Sequence, residues 1–306
     1  MNIEVLLTEA EIAQEFTESM EARDLPEKFF YWFPLSVRAW RELSTNGVFA
    51  DLARTWDILG SKVNELTAHF PGAVPVVSYG AGDGAKDRVL IQALKKSGRE
   101  VRYFPVDASQ TLLETACAAA EDDEVEVTGI KADISSPMHL VLASDAAESP
   151  KLFLMSGNTL GGFDPIEQIQ HVAQRLHEGD RLILDAELYR EDLIPVHPRF
   201  VEFAFAPLLS IGVTEEDGEV KFEKKIDERH AGLHMTTKRF HARRDLRITV
   251  SGRDIQVARG EWIFMNFRYQ FTRAAFRWLL EKKGGLKVLD EITSPDGAFV
   301  SAVCSL

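Results

Sequence analysis

From Val74 onward, short apolar runs alternate with amphipathic stretches, and this rhythm restricts the possible folds more than any other feature. The apolar runs predict five strands, at 74–80, 101–107, 125–133, 152–157 and 182–187. The stretches between them predict helices at 86–97, 109–120, 136–146 and 164–178. Strands that alternate with helices in this way form a parallel sheet with helices on both faces. The sequence therefore predicts a doubly wound α/β fold.

The end of the chain departs from that rhythm. A predicted helix at 272–283 is followed by two strands, at 286–292 and 298–305, joined by the turn Ser294-Pro295-Asp296-Gly297. Class I methyltransferases close their parallel sheet with an antiparallel strand of this kind, whereas ordinary dinucleotide-binding folds continue with parallel crossovers. The terminal hairpin therefore favours a class I methyltransferase sheet.

The sequence divides into an N-terminal helical cap, a core, an inserted β-rich substrate lid and a C-terminal return of the core, at 1–70, 71–190, 191–262 and 263–306. The cap is predicted from apolar residues at helical spacing, which are Phe49, Leu52, Trp56, Leu59, Val63 and Leu66. The lid is predicted because the earlier rhythm is lost and alternating segments indicate antiparallel strands at 246–250 and 254–258.

Composition limits the class of partner. Hydrophobic residues make up 45% of the 306-residue chain, which is enough for a sizeable core, and the formal net charge is -13. An acidic chain repels a phosphate backbone, whose binding depends on clustered Lys and Arg. We therefore expect a small-molecule substrate and no nucleic acid. The basic run at 238–244 is predicted to be a solvated strand of the lid.

Cysteine and histidine are too sparse to predict a disulfide framework or a metal site. Cys117 and Cys304 are the two cysteines, and His230 and His234 form a pair at helical spacing with no evident third ligand. The N-terminus has no basic region followed by an apolar one, and no apolar stretch approaches about 18 residues. We therefore expect a protein of the reducing cytoplasm that binds no metal and enters no membrane.

A glycine-rich turn follows the first predicted strand of the sheet. It reads Gly80-Ala81-Gly82-Asp83-Gly84-Ala85-Lys86, and its glycines permit a tight turn that brings backbone N–H groups close to a ligand. Asp107 ends the second strand, 25 residues beyond Gly82. A ribose-binding acid stands at about this distance in NAD enzymes too, so the turn alone leaves an NAD site open.

Asp133 closes the third predicted strand and helps to separate these possibilities. Asp107 can hold a ribose diol while Asp133 accepts the amino group of an adenine, and NAD folds do not require this second acid. The alternative role of Asp133 is a helix N-cap before Ser135 and Ser136, and the alternative for the glycines is a plain strand-to-helix turn. Lys86 is either a solvated lysine or a partner for the carboxylate of a methionine moiety.

Four further segments form a recognisable pattern when they are taken together with the glycine turn. They are Leu25-Pro26-Glu27-Lys28-Phe29-Phe30-Tyr31, the run 103–109 ending in Asp107-Ala108-Ser109, the run 152–163 containing Ser156-Gly157-Asn158-Thr159-Leu160-Gly161-Gly162, and Gly260-Glu261-Trp262-Ile263. Together they resemble the histidine-specific Nα-methyltransferases of ergothioneine biosynthesis and the related fungal dimethylallyltryptophan N-methyltransferase. The first segment is similar to the family's L-P-P-K-W-F-Y-D. The resemblance covers most of the chain.

The resemblance implies a methyltransferase whose cofactor is S-adenosylmethionine. It places around this cofactor Gly80, Lys86, Asp107, Asp133 and Ile134. The same motifs supply the other cofactor-binding candidates, which are Ala81, Gly82, Ser109, Ser156 and Gly157.

The substrate side departs from the family pattern. In the family's G-S-T-I-G-N loop an asparagine binds the α-amino group of the amino acid, and Gly162 stands at that position here. In R-T-E-x-S-x-K-F a glutamate and a serine bind the imidazole, and Asn266 and Arg268 replace them. Tyr31 keeps the first substrate tyrosine, whereas the second has no counterpart around Val48. We therefore expect a substrate other than free histidine, with an acidic or carbonyl group that faces Arg268.

Methyl transfer from a sulfonium depends on alignment and exclusion of water, so few protein groups need to be chemically active. Tyr31 and Glu187 are the predicted catalytic residues, because Tyr31 can hydrogen-bond the nucleophile and Glu187 can accept or balance charge. The predicted substrate-binding residues are Tyr31, Asn158, Gly162, Asn266 and Arg268.

Three functions stay open on the sequence alone. The first is a small-molecule methyltransferase acting at nitrogen in specialised-metabolite biosynthesis, with a histidine or amino-acid Nα-methyltransferase proper as its variant. The second is an NAD-dependent oxidoreductase, which Asp133 and the terminal hairpin disfavour. The third is a cofactor-binding relative that has lost catalysis and acts as a partner or sensor.

Overall fold

The computed structural model describes residues 1–45, 50–191 and 198–306. Its N-terminal region holds a strand, three helices and a 3₁₀ turn: β1 (Asn2–Val5), α1 (Glu9–Ala22), the turn Glu27–Phe30, α2 (Pro34–Thr45) and α3 (Ala50–Leu66). Strand β1 is an element that the sequence does not predict, since its four residues are too few and too exposed to show a pattern. Phe49 and the segment around Val48 lie outside the described residues.

Helix α1 begins at a capping box. The Thr8 side chain accepts a hydrogen bond from the backbone N–H of Glu11, and the Glu11 carboxylate accepts one from the backbone N–H of Thr8. Ile12, Phe16 and Met20 then recur every four residues and are fully buried. This buried stripe fixes α1 against the rest of the protein.

The core elements confirm the predicted alternation. They are β2 (Val74–Tyr79), α4 (Ala85–Lys96), β3 (Val101–Asp107), α5 (Gln110–Asp122), β4 (Glu126–Lys131), α6 (Pro137–Asp145), β5 (Leu152–Met155), α7 (Pro165–Ala173) and β6 (Arg181–Glu187). A 3₁₀ turn at Thr159–Gly162 follows β5. Every residue of β2 and β5 is buried, as expected for central strands covered by helices on both faces.

From residue 198, where the described chain resumes, the first element is a helix that the sequence does not predict. The elements of this region are α8 (Pro198–Ser210), β7 (Gly218–Ile226), β8 (Leu233–Ala242), β9 (Leu246–Val250), β10 (Arg253–Val257) and β11 (Trp262–Phe271). Six consecutive residues of α8, 203–208, are buried, and one of them is Pro207, a residue that usually ends or kinks a helix and so argues against one in the sequence. Strands β11, β8 and β7 form one antiparallel sheet, so β11 extends this sheet beyond the predicted lid boundary at 262.

The chain ends with α9 (Arg273–Trp278), which continues as a π-helical turn at Leu279–Lys283, and with β12 (Lys287–Thr293) and β13 (Phe299–Ser305). The main sheet has the order β1-β4-β3-β2-β5-β6-β13-β12. Strands β1 to β6 run parallel, whereas β13 lies antiparallel between β6 and β12. This arrangement confirms the class I methyltransferase sheet with its terminal hairpin.

The cap and the β-rich region share a hydrophobic core. Ile12 and Phe16 of α1 belong to the same buried cluster as Phe203 of α8, Ile255 of β10 and Ile263 of β11. Aromatic rings reinforce the contact, since the ring centroid of Phe16 lies 5.0 Å from those of two rings that follow it in the chain, Phe29 and Phe33. The segment between α1 and α2 is therefore held in place from both sides. No helix in the described ranges is both long and apolar enough to cross a membrane.

A buried carboxylate at the end of the sheet organises the loop after β5. Asp185 of β6 accepts hydrogen bonds from the backbone N–H groups of Gly157 and Asn158 and, at 2.8 Å, from the indole Nε1 of Trp56. Burial raises the pKa of Asp185, and these donors oppose that effect. Helix α3, strand β6 and the loop after β5 therefore meet at one side chain.

Replacing Trp56 by Phe should test this junction. The change keeps an aromatic ring but removes a donor from a buried carboxylate, so we expect the free energy of unfolding to fall by about 1–3 kcal/mol in urea titrations. Trp262→Phe serves as the control, because Trp262 is 43% exposed and its loss should change stability by less than about 0.5 kcal/mol. Equal stability of Trp56→Phe and the parent protein would contradict the assigned role of Asp185.

Candidate cofactor and substrate site

A cavity of about 970 Å³, counted with its open mouth, lies at the carboxyl ends of β2, β3, β4 and β5. Ligands of open α/β sheets bind at this edge. Helix α2 covers the cavity with Trp40 and Ser44, and the 3₁₀ turn before it contributes Glu27 and Lys28. The cavity thus brings the sheet edge together with the N-terminal region.

The glycine turn forms one wall of this cavity and adopts conformations that favour glycine. Gly80 and Gly82 have φ of 71° and 58°. A Cβ at Gly80 would stand 2.7 Å from Cγ2 of Thr159, and one at Gly82 would stand 3.4 Å from the Trp40 indole. Gly80, Ala81 and Gly82 all line the cavity, as predicted for the turn.

Asp107 is the last residue of β3 and lines the cavity. Its carboxylate accepts hydrogen bonds of 2.8 Å from the backbone N–H groups of Gly82 and Ser109. Burial raises the pKa of Asp107 to about 6, although these donors favour the ionised form. Ser109 itself is buried and does not belong to the described cavity lining, and its backbone N–H is the group that contacts Asp107.

Asp133 also lines the cavity, but the protein already engages both of its oxygens. Oδ2 accepts a hydrogen bond of 2.6 Å from Lys28 Nζ, and Oδ1 accepts from the backbone N–H and the hydroxyl of Ser135. Burial disfavours the ionised form, yet the Lys28 charge and the Ser135 donors hold the pKa of Asp133 below its usual range. Ser136, not Asp133, caps α6. Ile134 lines the cavity beside Gly80.

One end of the cavity is lined by Lys86, Ser156 and Gly157. A Cβ at Gly157 would stand 3.3 Å from Lys86 Nζ, so glycine leaves room for the ammonium group. Asp87 lies behind this end, and burial raises its pKa to about 6 against the opposing influence of Lys86 and several hydrogen-bond donors. The arrangement presents one cation to the cavity.

Tyr31 lines the opposite side of the cavity, where its hydroxyl donates a 2.8 Å hydrogen bond to Glu27 Oε1. Burial and the Glu27 charge raise the pKa of Tyr31 well above its ordinary value, so the phenol stays a neutral donor. Asn158 lines the cavity as well, but its Oδ1 accepts the backbone N–H of Glu187 at 2.9 Å. Asn158 therefore also has a structural role.

Gly162, Asn266 and Arg268 do not belong to the described cavity lining. Gly162 and Asn266 stand one layer behind it, where Asn266 Nδ2 donates to the Glu27 carboxylate and, at 3.3 Å, to the carbonyl of Gly162. Glu27 fills the space that the absence of a side chain at Gly162 leaves.

Glu187 and Arg268 form an ion pair with each other. Gln270 Nε2 donates a further 2.7 Å hydrogen bond to Glu187, and the Arg268 guanidinium stacks 4.6 Å from the centroid of the Phe200 ring. The structure therefore does not place Glu187 in the described cavity lining as a proton acceptor. Because the protein supplies the carboxylate that faces Arg268, the expectation of an acidic substrate loses its basis.

Two residues of this region, Glu27 and Lys238, are not among the site residues predicted from the sequence. Glu27 looks like a surface acid, and its one signal is that it replaces a proline of the L-P-P-K pattern. Lys238 belongs to the basic run that was predicted to be solvated, but it is buried, with Nζ 3.8 Å from Glu27 Oε2 and 4.2 Å from the Phe30 ring centroid. Burial lowers its pKa against the opposing charge of Glu27. Across the described ranges, no group of three or more His, Cys, Asp or Glu could hold a metal ion.

Comparison with known proteins places this site in a family. Residues 8–194 match the profile of the SAM-dependent histidine-specific methyltransferases. The chain is 26% identical to 4-dimethylallyltryptophan N-methyltransferase of Epichloe festucae var. lolii over 47% of its length and 42% of that protein. It is 29% identical to a histidine N-alpha-methyltransferase of Mycolicibacterium smegmatis over 44% and 42% of the two chains.

These alignments span less than half the length of the relatives that they match. A solved S-adenosylmethionine-dependent methyltransferase from Clostridium acetobutylicum aligns with 88% of this chain and 98% of its own at 13% identity and a TM-score of 0.48. The family match covers more than half of the chain and confirms the resemblance carried by the motifs. The chain belongs to the SAM-dependent, histidine-specific methyltransferase family.

Proposed function

We propose that this protein is a methyltransferase that uses S-adenosylmethionine to methylate a nitrogen atom of a small molecule other than free histidine. The observation that carries the proposal is the single cavity shared by the glycine turn, Asp107 and Asp133 on one side and by Tyr31 and Glu27 on the other. A cofactor and an acceptor can therefore meet within one enclosed space. The family membership favours this activity over an NAD-dependent oxidoreductase.

The residues present fit the proposed cofactor. Glycine at 80, 82 and 157 leaves space that a Cβ would fill, and Asp107 keeps acceptor capacity for the ribose hydroxyls beyond its two backbone donors. Asp133 and Ile134 would border the adenine, and Lys86 would bind the carboxylate of the methionine moiety. We retain Ala81, Ser156 and, through its backbone, Ser109 as parts of this site.

S-adenosylmethionine would supply an electrophilic methyl group to the lone pair of the acceptor nitrogen, with S-adenosylhomocysteine as the leaving group and one N–H proton passing to water. Tyr31 orients the acceptor through its neutral hydroxyl, together with Glu27. Trp40 and Phe163 line the same space and exclude water from it. Since the relatives named above are N-methyltransferases, nitrogen is the atom that we propose.

The substitutions at Gly162, Asn266 and Arg268 support a substrate other than histidine, and a role in specialised-metabolite biosynthesis follows as part of the proposal. We place the reaction in the cytoplasm, because Cys117 and Cys304 are both buried free thiols that suit a reducing compartment.

Ligand binding should separate the three functions left open by the sequence. In thermal-shift measurements, S-adenosylmethionine and S-adenosylhomocysteine should each raise the melting temperature, whereas NADH should not. Mass spectrometry after incubation with a broad amine panel, including L-histidine, should then show one added methyl carried over from methyl-deuterated cofactor. Stabilisation by NADH alone would refute the proposal, and binding without any methylated product would favour a non-catalytic relative.

Asp107→Asn should weaken binding of S-adenosylhomocysteine by about tenfold to a hundredfold in isothermal titration calorimetry, because the amide is a poorer acceptor for ribose hydroxyls than a carboxylate. Asp122→Asn is the matched control, since Asp122 is exposed at the end of α5. Undiminished affinity of Asp107→Asn would contradict the ribose role.

The affinity for S-adenosylhomocysteine should also depend on pH. Burial raises the pKa of Asp107 to about 6, so the free protein carries a proton there below that pH. A ribose that donates to the carboxylate excludes this proton, and affinity should fall by up to about tenfold for each unit below pH 6. The fall should be smaller in Asp107→Asn. A flat profile in the parent protein between about pH 7.5 and pH 5 would rule out proton competition.

A further inference from the structure

The Glu27 carboxylate is the centre of a polar cluster beside the cavity. Tyr31 donates to Oε1 at 2.8 Å, and Asn266 donates to Oε2. Lys238 Nζ lies 3.8 Å from Oε2, which is beyond hydrogen-bond distance. Glu27 lines the cavity, whereas Asn266 and Lys238 stand behind it. A carboxylate has about four lone-pair sites, so Glu27 keeps acceptor capacity for a ligand in the cavity.

The position of Glu27 depends on the absence of a side chain at 162. An ideal Cβ at Gly162 would stand 3.1 Å from both Cγ and Cδ of Glu27 and 3.2 Å from Oε1. These separations are too short for the carboxylate to stay where it is without shifting. Gly162 is not in the left-handed region, so a larger residue there would be excluded by Glu27 and not by backbone strain.

Asn266 is shaped to hold this carboxylate. It lies at the irregularity of β11 between Phe264 and Phe267, and its φ of 66° is in the left-handed region, which asparagine tolerates better than most residues. The bulge turns the amide toward Glu27 and the carbonyl of Gly162. Positions 27, 162 and 266 are therefore adapted to one another.

The acceptor side of the cavity favours a ligand that donates hydrogen bonds. Of the described lining residues, four are carboxylates (Glu27, Asp83, Asp107, Asp133) and two are lysines (Lys28, Lys86). On the acceptor side, Glu27 is the lining carboxylate that offers lone pairs to a ligand, because Glu187 lies outside the described lining and is paired with Arg268. Lys238 balances charge on Glu27 from behind the lining, at 3.8 Å from Oε2.

We propose that Glu27 is the specificity-determining residue that binds the amino group of the methyl acceptor, and that the acceptor class is small amines rather than carboxylates or alcohols. This proposal rests on the proposed methyltransferase function. An amine that arrives as its ammonium ion donates a charge-assisted N–H bond to Glu27 and loses one N–H proton to water before its lone pair attacks the methyl group, whereas a carboxylate is repelled and an alcohol forms a weaker, uncharged contact. Tyr31 and Asn266 position Glu27, and Gly162 gives it room.

The test begins with the parent protein and S-adenosylhomocysteine in isothermal titration calorimetry. If S-adenosylhomocysteine does not bind, the proposed function fails irrespective of Glu27. The saturated complex is then titrated with matched sets of an amine, an alcohol and a carboxylate on phenyl, indolyl, imidazolyl and alkyl skeletons. At least one amine should bind, and at least tenfold more tightly than its matched alcohol and carboxylate. If no amine binds, or if a carboxylate or an alcohol binds more tightly than its matched amine, the proposed role of Glu27 is overturned and the proposed methyltransferase function is not.

Glu27→Gln should lower the affinity for the best amine at least tenfold and leave the S-adenosylhomocysteine affinity within about twofold of the parent value. Glu18→Gln, at an exposed site on α1, is the control. Because Glu27→Gln leaves Lys238 without its nearby carboxylate, the double variant Glu27→Gln/Asn266→Asp provides a second measurement. This double variant exchanges the carboxylate and the amide across the hydrogen bond between positions 27 and 266. We expect it to bind the amine more tightly than the single variant Glu27→Gln does. Unchanged amine affinity in both variants would contradict the role of Glu27.

Gly162→Leu tests the same role without altering the carboxylate and without adding a polar group that could bind the amine itself. The new side chain should displace Glu27 and lower amine affinity at least tenfold, whereas Gly162→Ala, which adds one carbon, should have a smaller effect. S-adenosylhomocysteine affinity should be retained in both. Amine binding that is as tight in Gly162→Leu as in the parent protein would show that the observed position of Glu27 is not needed.

Discussion

The packing of one short segment, the 3₁₀ turn with Tyr31 after it, governs how the two halves of the cavity are assembled. Phe29 and Phe30 of this turn are fully buried in the core that α1 shares with the β-rich region. With these rings anchored, their neighbours must face the cavity: Lys28 reaches Asp133 on the cofactor side, and Tyr31 pairs with Glu27 on the acceptor side. Burial of apolar rings thus sets the geometry of both polar contacts.

This dependence explains why the polar cluster is retained although it contributes little to stability. A buried ion pair gains Coulomb energy but loses hydration, and the net effect on folding is often near zero. Lys238 and Glu27 are arranged in this way behind the cavity wall, with Asn266 completing the hydrogen bonds. Such an arrangement is better understood as a means of holding one charge in one orientation than as a source of folding energy.

The sequence predicted the parts of the molecule that have a strong local pattern. The strands from Val74 to Glu187, the terminal hairpin and the position of Asp107 follow from apolar periodicity and from the place of an acid at a strand end. Strand β1 and helix α8 are not predictable, because the first is too short to show a period and the second contains Pro207, which argues against a helix interior. These elements are specified by tertiary packing.

The residues on the acceptor side of the cavity are harder to predict from the sequence, because tertiary packing decides their partners too. Whether Arg268 faces a ligand or a carboxylate of the protein depends on Glu187, which is 81 positions away and on another sheet. Whether Lys238 is solvated depends on the N-terminal turn that covers it. Charged residues on alternating strands look alike in sequence, and only the partner element decides which of them is buried.

The contact between Gly162 and Glu27 also limits the order in which such a site can arise by single substitutions. A chain with a larger residue at 162 has no room for the Glu27 carboxylate in its present position, so a glutamate gained first would have to point elsewhere. Loss of the side chain at 162 opens that room without disturbing the glycine turn or Asp107. The acid at 27 can therefore occupy its present position only when the residue at 162 has no side chain.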